Sequence, residues 1–380
     1  MKTEYRKLGE YIQSVDVRNS DLRVSRLLGL SIEKCFIESI ANTIGTDFRT
    51  YKIVKKGQFA YGPVTSRNGD KITIALLEEP ECIISSSYAV FEITDTSKLL
   101  PEYLMLWFTR PEFDRYARFK SHGSVREIFD WDEICRVELP VPDFTQQQRI
   151  VNAYNIVNRR IQLLQQINGK LEAAAQIIYR KMFIEDAELK VGNIKDFCHV
   201  FTGFPFDSEL YSANEGVTVL RGENVTEEHL RWDTLKKYNS EITERISKHY
   251  LKEWDIVIGM DGSKVGKNWS LIHDFDLPLL LAQRVACIRT NSISKQIFLY
   301  LSLKISKFTE YVTQVNTGTT ILHISNSQIE DFPILLPSDE MIENFGNKVE
   351  SLLKQRKENL KELNKLFDLQ QLIISRISGM

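Results

Sequence analysis

Two long stretches of the chain repeat apolar residues at the three- and four-residue spacing of a helix that lies against another helix. The first stretch, Gln146–Phe183, follows Pro142, which cannot continue a helix, and Thr145, which can cap one. Polar residues such as Gln147 and Arg159 fill most of its remaining surface. The ten seam positions are Ile150, Tyr154, Val157, Ile161, Leu164, Asn168, Leu171, Ala175, Ile178 and Met182. All but Asn168 are apolar or aromatic. A helix this long exceeds one globular core, at about 1.5 Å per residue, so the pattern predicts a partner helix of equal length.

The C-terminal stretch supplies that partner, because a second seam lies 195 positions further along the chain. Seven of its ten positions are apolar, and the other three are Arg356, Asn359 and Gln370. The apolar positions are Phe345, Val349, Leu352, Leu363, Leu366, Ile373 and Ile377. Pro142 and Pro337 are separated by the same 195 positions, as are Gly123 and Gly318, and an apolar run ends at each proline. Two unrelated amphipathic helices are the ordinary alternative. The shared approach to each helix favours an internal duplication with pseudo-two-fold packing.

The duplication predicts four segments: a globular domain at 1–144, a spacer helix at 145–185, a second domain at 186–339 and a second helix at 340–380. The first helix delivers the chain to the second domain, whose own helix must then run back. We therefore predict an α+β fold, with two pseudo-repeated mixed α/β domains separated by a long antiparallel two-helix coiled coil. The coil would act as a ruler with one domain at each end.

Alternating or continuous apolar runs and turn residues predict the elements of the first domain. Strands are expected at Tyr51–Phe59, Lys71–Leu77, Cys82–Ile84 and Tyr88–Ile93, and short helices at Glu102–Phe108 and Pro111–Phe119. The second copy keeps this order. Its glycine-rich stretch Gly259–Asn268 fails as a phosphate loop, because Asn268 replaces the required Ser or Thr. A hairpin that presents Lys264 and Lys267 to a nucleic-acid backbone is as plausible as an ordinary solvated hairpin.

Composition narrows the class of protein. The 380 residues are 43% hydrophobic, enough for folded cores, and no apolar run of about 18 residues predicts a membrane span. Five scattered cysteines form neither a metal pattern nor a disulfide pattern, which fits a reducing cytoplasm. The formal net charge of −2 gives no global attraction to polyanions, so a nucleic-acid surface would have to be local. We predict a cytoplasmic location.

Polar turn residues recur at matching places in the two copies. Arginine, glutamine and asparagine make bidentate contacts to base edges, although any one of them is more often a simple surface residue. The candidate DNA-binding residues are Ser66, Arg67, Asn68, Ser87, Tyr88, Ser121, His122, Ser124 and Arg126 in the first copy, and Ser263, Lys264, Lys267, Asn268, Gln283, Arg284, Thr317, Thr319 and Thr320 in the second. The six histidines form no metal spacing and no catalytic constellation. We predict no metal site and no catalytic residue.

Several segments resemble the target recognition domains of type I restriction–modification specificity subunits. The resemblance lies in Thr202–Ser208, in Val219–Val225 and in Trp254–Gly259 with the lysine hairpin that follows it. Pro140-Val141-Pro142 is similar to the family's approach to its first conserved helix. The resemblance covers nearly the whole chain. Two features depart from it, because Met341–Asn344 replaces the usual glutamate–glutamine start of the second helix and the first domain matches the glycine–phenylalanine start poorly.

The resemblance implies a non-catalytic specificity subunit that recognises a bipartite, asymmetric double-stranded DNA target. Each target recognition domain would bind one half, and the helices would fix the gap. Two methylation subunits would join it, with restriction subunits in the full complex. No cofactor is expected in this chain, whereas S-adenosylmethionine, ATP and Mg are expected in the partner subunits. Two other classes stay open: a coiled-coil scaffold or dimerisation protein with protein-binding domains, and a DNA-modifying enzyme with an unrecognised site.

Overall fold

A computed structural model describes residues 4–40, 44–66, 68–122, 127–185, 188–315 and 322–377. The chain forms two compact units, Met1–Gln162 with Asn364–Met380, and Leu163–Leu363. Each unit therefore contains part of both long helices and one mixed α/β domain. Within the described residues, no helix combines the length and apolar character that crossing a membrane requires.

The strands of the first unit are β1 (Tyr5–Lys7), β2 (Ile12–Val15), β3 (Leu28–Leu30), β4 (Phe36–Glu38), β5 (Lys52–Lys55), β6 (Phe59–Tyr61), β7 (Ile74–Leu76), β8 (Glu81–Ile84), β9 (Ala89–Ile93) and β10 (Glu138–Pro140), and its short helices are α1 (Pro101–Phe108), α2 (Pro111–Lys120) and α3 (Trp131–Cys135). At its centre, four of these strands form an antiparallel sheet in the order β2–β9–β6–β7. Three further pairs, β1–β10, β3–β4 and β5–β8, surround the sheet. Phe59 and Phe91 stack with ring centroids 4.9 Å apart in a core that α1 and α2 cover.

The predicted strand Tyr51–Phe59 is wrong as a single element. It is two strands, β5 and β6, with Gly57 between them at φ +85°. Glycine adopts this left-handed conformation at little cost, and it turns the chain from the β5–β8 pair into the central sheet. The predicted strand Lys71–Leu77 is shorter than expected and starts at Ile74. The two predicted helices of this domain are confirmed to within one residue at each end.

The first long helix, α4 (Phe144–Tyr179), ends in a π-helical segment, Arg180–Glu185. The strands of the second unit are β11 (Lys190–Asn193), β12 (His199–Thr202), β13 (Tyr211–Ser212), β14 (Val217–Leu220), β15 (Lys237–Tyr238), β16 (Ile256–Gly259), β17 (Trp269–Leu271), β18 (Leu279–Leu281), β19 (Val285–Arg289) and β20 (Pro333–Leu336); the helices are α5 (Glu244–Ser247), α6 (Ile293–Ile305), α7 (Phe308–Val315), α8 (Asn326–Glu330) and the second long helix, α9 (Asp339–Arg376). This unit repeats the first, with a sheet in the order β12–β19–β16–β17 and a β11–β20 pair. An additional sheet has the order β13–β15–β14–β18.

Equivalent polar contacts identify the two sheets as copies. Gln58 precedes β6 and Asp255 precedes β16, and the side chain of each accepts the backbone N–H of the residue three positions before it, at 2.8 and 2.7 Å. Each side chain also reaches the neighbouring strand, where Gln58 donates to Glu92 and Asp255 accepts from Arg289. The residues that pair differ between the two copies, whereas the positions of the hydrogen bonds are the same. The predicted duplication and the mixed α/β class are confirmed.

The two long helices run antiparallel within each unit. In the second unit Asn359 donates to Asn168 at 2.8 Å, and four residues further along α4 Glu172 pairs with Arg356, an earlier residue of α9. Glu172 also lies 2.5 Å from Lys304, and all three of these side chains are largely buried. Burial alone would raise the pKa of Glu172, but the charges of Arg356 and Lys304 outweigh it and hold that pKa below its usual range.

The predicted seam of α4 is confirmed in its middle and shifted at its ends. Val157, Ile161, Leu164, Asn168 and Ala175 are buried. At the ends, the buried positions are Val151, Tyr179 and Phe183 instead of the predicted Ile150, Ile178 and Met182, which are half-buried. An α-helix drifts by about 20° per heptad relative to a 3.5-residue repeat, and the ends of α4 pack against the two domain cores rather than against α9 alone.

The prediction that Gln147 lies on the polar surface of the helix is wrong, because its side chain is fully buried. Its Oε1 accepts the N–H of Leu100 at 2.8 Å, and its Nε2 donates to the carbonyls of Lys98 and Pro142 at the same distance. A buried amide that makes three hydrogen bonds fixes the start of α4 against the segment before α1.

Candidate nucleic-acid interface

In the first unit, three of the predicted DNA-binding residues share one cavity. Asn68, Ser87 and Tyr88 line a cavity of about 320 Å³ next to Gly62 at the end of β6. Gly62 has no room for a side chain, since an added Cβ would lie 2.5 Å from Thr73 Oγ1. The same added Cβ would lie 3.5 Å from the ring of Tyr88, so the turn after β6 also packs close to the turn before β9, and residues separated in sequence reach one surface.

Side-chain and backbone contacts hold Ser121 and His122 at the same edge. Thr65 Oγ1 donates to Ser121 Oγ at 2.9 Å, and the Thr65 N–H donates to the carbonyl of Glu127 at 3.0 Å. Bridges Val64–Ile128 and His122–Ile128 complete the contact. Ser66 and His122 are exposed. The structure therefore places the described candidates of the first unit, Ser66, Asn68, Ser87, Tyr88, Ser121 and His122, along one edge.

The predicted lysine hairpin of the second unit is present between β16 and β17. Lys264 and Lys267 are exposed, and the N–H groups of Lys267 and Asn268 both donate to the carbonyl of Lys264. Gly266 has φ +85°, and an added Cβ would lie 2.9 Å from Val312 Cβ. Thr309 Oγ1 donates to the Gly266 carbonyl at 2.8 Å. The loop is thus fixed on α7, with both ammonium groups outside; Ser263 is exposed and Asn268 is half-buried.

Gln283 and Arg284 lie beside this hairpin, at the turn into β19. Both are exposed, and Arg284 has φ +75°. The Gln283 N–H donates to the carbonyl of Phe204 at 2.9 Å, and the Met260 N–H donates to the carbonyl of Arg284 at 3.0 Å. The backbone on both sides of Arg284 is therefore held, and its guanidinium extends from a fixed point.

Two residues of this edge were missed in the sequence, Asp261 and His323. Asp261 Oδ1 lies 2.5 Å from His323 Nδ1, and Asp261 Oδ2 lies 3.6 Å from Arg284 Nη1. Asp261 lies inside the glycine-rich stretch, in which a single carboxylate has no recognisable spacing of its own. His323 comes shortly after Gly318, and a single histidine without metal-ligand spacing is not marked by the sequence either.

The backbone contacts of the two edges are the same. The Thr65 N–H donates to Glu127 and the Phe129 N–H to Pro63; in the second unit the Gly262 N–H donates to Leu322 and the Ile324 N–H to Met260. Each pair flanks a bridge, Val64–Ile128 in one copy and Asp261–His323 in the other. One backbone frame therefore carries different side chains in its two copies.

Six predicted residues, Arg67, Ser124, Arg126, Thr317, Thr319 and Thr320, lie outside the described residues. Over the described ranges, no group of three or more His, Cys, Asp or Glu side chains could hold a metal ion. Burial raises the pKa of the Cys198 thiol to about 12 and that of Cys287 well above its usual value, which leaves both thiols protonated and unreactive at neutral pH.

Comparison with known proteins identifies the family of the domain in residues 187–367. The type I restriction modification DNA specificity domain matches residues 187–367, which include the whole described edge of the second unit. The chain is also 22% identical to the type I restriction enzyme HindI specificity subunit of Haemophilus influenzae, with 90% of each protein covered. Residues 187–367 therefore belong to the type I restriction modification DNA specificity domain family, and the whole chain is similar to a specificity subunit.

The fold of a solved specificity subunit agrees. The crystal structure of the type I restriction–modification system S subunit from M. genitalium matches with a TM-score of 0.63, over 99% of this chain and 96% of that chain, at 12% identity. The resemblance inferred from the sequence motifs is confirmed.

Proposed function

We propose that this chain is the DNA-binding specificity subunit of a type I restriction–modification complex and recognises a bipartite, asymmetric target. Residues 1–144 and 186–339 would each bind one half-site, and the subunit itself would carry no catalytic residue. One observation carries the proposal: the same hydrogen-bonded edge occurs in both domains with different side chains. Two copies of one frame place two reading surfaces alike, while different side chains read different bases.

The described candidates separate into two roles. Lys264 and Lys267 are exposed ammonium groups on a fixed hairpin, which suits contact with phosphates. Asn68, Gln283 and Arg284 have the amide and guanidinium groups that suit base edges. The candidates outside the described residues, such as Arg126, stay predictions.

Exposed apolar side chains lie on one face of α4. Leu163 and Ile177 are 44 and 65% exposed, and their separation of 14 positions places them on one face, away from the α9 seam. Ile184, 49% exposed, follows in the π-helical segment. We propose that the methylation subunits contact this face and that restriction subunits join the full complex in the cytoplasm. Ile177→Asp should weaken co-purification with the methylation subunit, whereas Gln165→Asp, at an exposed position on a different face of the helix, should not. Equal co-purification of both variants would exclude this face.

A salt titration of DNA binding tests the main proposal. The purified complex should bind its own target and random duplex DNA, and Lys264→Ala with Lys267→Ala should weaken both while lowering the salt slope by about 0.9 per lysine. Lys248→Ala serves as the control, because this exposed lysine lies directly after α5 and is paired with Glu244. If the complex showed no sequence preference in methylome mapping and no salt-dependent DNA binding, the scaffold alternative would replace the proposal.

A further inference from the structure

A carboxylate joins two polar side chains at the reading edge of the second unit. Asp261 contacts His323 through one oxygen and Arg284 through the other, at 2.5 and 3.6 Å. The side chains of Asp261 and His323 are each about two-thirds buried, whereas that of Arg284 is 63% exposed. The pair is therefore part of the protein surface layer, and the arginine stands on it and extends outward.

The first unit has no such arrangement at the equivalent place. Val64 and Ile128 form the bridge that corresponds to Asp261 and His323, within the same flanking backbone hydrogen bonds. Ser87 holds the place of Arg284 before the equivalent strand. An apolar pair suffices to close this bridge, so the fold itself does not require the carboxylate and the imidazole in the second unit.

The backbone of Arg284 also carries a conformational cost. A non-glycine residue at φ +75° is in a sparsely populated region that persists only when its surroundings impose it, and such residues concentrate at functional sites. Here the Met260 N–H holds the Arg284 carbonyl, and Asp261, the next residue, holds its guanidinium. Main chain and side chain are thus fixed from the same strand end.

The geometry points to Asp261, oriented by His323, as the residue that positions Arg284 to read one guanine in the half-site of the second domain; this inference rests on the proposed function. An arginine presents two parallel N–H donors to O6 and N7 of guanine in the major groove. At 3.6 Å the carboxylate attracts one end of the guanidinium without using up its donors. Fixing a long side chain before binding lowers the conformational entropy lost on DNA contact. Asp261 is a positioning residue, and Arg284 is the base contact.

A double-mutant cycle in the assembled complex tests this inference. Arg284→Ala should reduce the preference for guanine at one position of one half-site by roughly 5- to 150-fold, leaving the other half-site unchanged. The double substitution Asp261→Val with His323→Ile copies the apolar bridge of the first unit and should reduce the preference at that same position by a smaller factor. In the Arg284→Ala background it should have no further effect. Methylation of a library randomised at each target position supplies the readout.

The outcomes are separable. Ser87→Ala should alter only the half-site of the first domain, and binding to random DNA should persist in every variant because Lys264 and Lys267 remain. A loss at a different base, an effect additive with Arg284→Ala, or unchanged preference would each overturn the inference. A wild-type complex that methylates without sequence preference would instead overturn the proposed function itself.

Discussion

The buried side chain of Gln147 holds separate segments of the first unit together. Its three hydrogen bonds hold the first turn of α4 to Lys98, Leu100 and Pro142. Gln147→Met keeps the length of the side chain but leaves these buried groups unpaired, and should lower the free energy of unfolding of the first unit by about 1–3 kcal/mol. Gln148→Met, which removes a hydrogen bond to Asn152 within the same helix, should change it little. Thermal melting compares the variants, and faster amide hydrogen exchange around Leu100 should accompany the loss.

Asp276 gives the second unit a predictable response to pH. Burial raises the pKa of this carboxyl to about 6, above its unfolded value of 3.8. Its contribution to stability is therefore fully present below about pH 4 and is lost as the pH rises through about 6. Asp276→Asn, which can still accept the N–H of His273, should raise the melting temperature at pH 8 and leave it unchanged at pH 4. A gain of the same size at both pH values would show that the carboxyl does not titrate in this range.

At the scale of elements, the seam between α4 and α9 carries a buried polar pair. Asn359 donates to Asn168, whose own Nδ2 has no hydrogen-bond partner among the described residues. Asn168→Leu alone leaves the buried Asn359 Nδ2 donor unpaired, so it should destabilise the helix pair by about 1–3 kcal/mol. Replacing both by leucine should restore or raise the melting temperature while permitting alternative registers, because a polar seam residue specifies register at a cost in stability. If the single and double variants melted alike, the pair would have no role in register.

The elements also show what the sequence could and could not predict. The seam and the lysine hairpin follow from periodicity and glycine placement, which are local signals, and the 195-residue repeat follows from finding the same local pattern twice. The burial of Gln147 and the pairing of Glu172 with Lys304 depend on contacts between segments far apart in the chain. Asp261 and His323 come together across 62 positions, and neither has a local pattern that marks it. Long-range polar contacts were therefore missed, and apolar repeats were not.

At the scale of the whole molecule, the length of the coil should set the gap in the DNA target. The matched positions for lengthening it are Gln162–Leu163 in α4 and Leu363–Asn364 in α9, since insertion near Phe183 would disturb a buried residue of the second core. One added heptad in each helix contributes about 10 Å at 1.5 Å per residue, close to three base pairs of about 3.4 Å. Methylome mapping should show a gap about three base pairs longer with both half-sites unchanged.

The control is a heptad in α4 alone. It cannot keep Asn168 paired with Asn359 and Asn158 paired with Gln370 at the same time, and should abolish methylation. An unchanged gap with normal activity in the doubly extended variant would show that the helices do not set the spacing. A changed half-site sequence would instead place the domain boundaries elsewhere than 144 and 186.

The order in which a ribosome makes this chain gives the discontinuous first unit a further significance. Ile377 is fully buried in the core of that unit, together with Val151, although some 200 residues of the second unit separate them. At about 5–20 residues per second, translation leaves the nascent first core open for about 10–40 s. During that time its apolar surface near Val151 is available to chaperones, and the second unit is complete before the first can close.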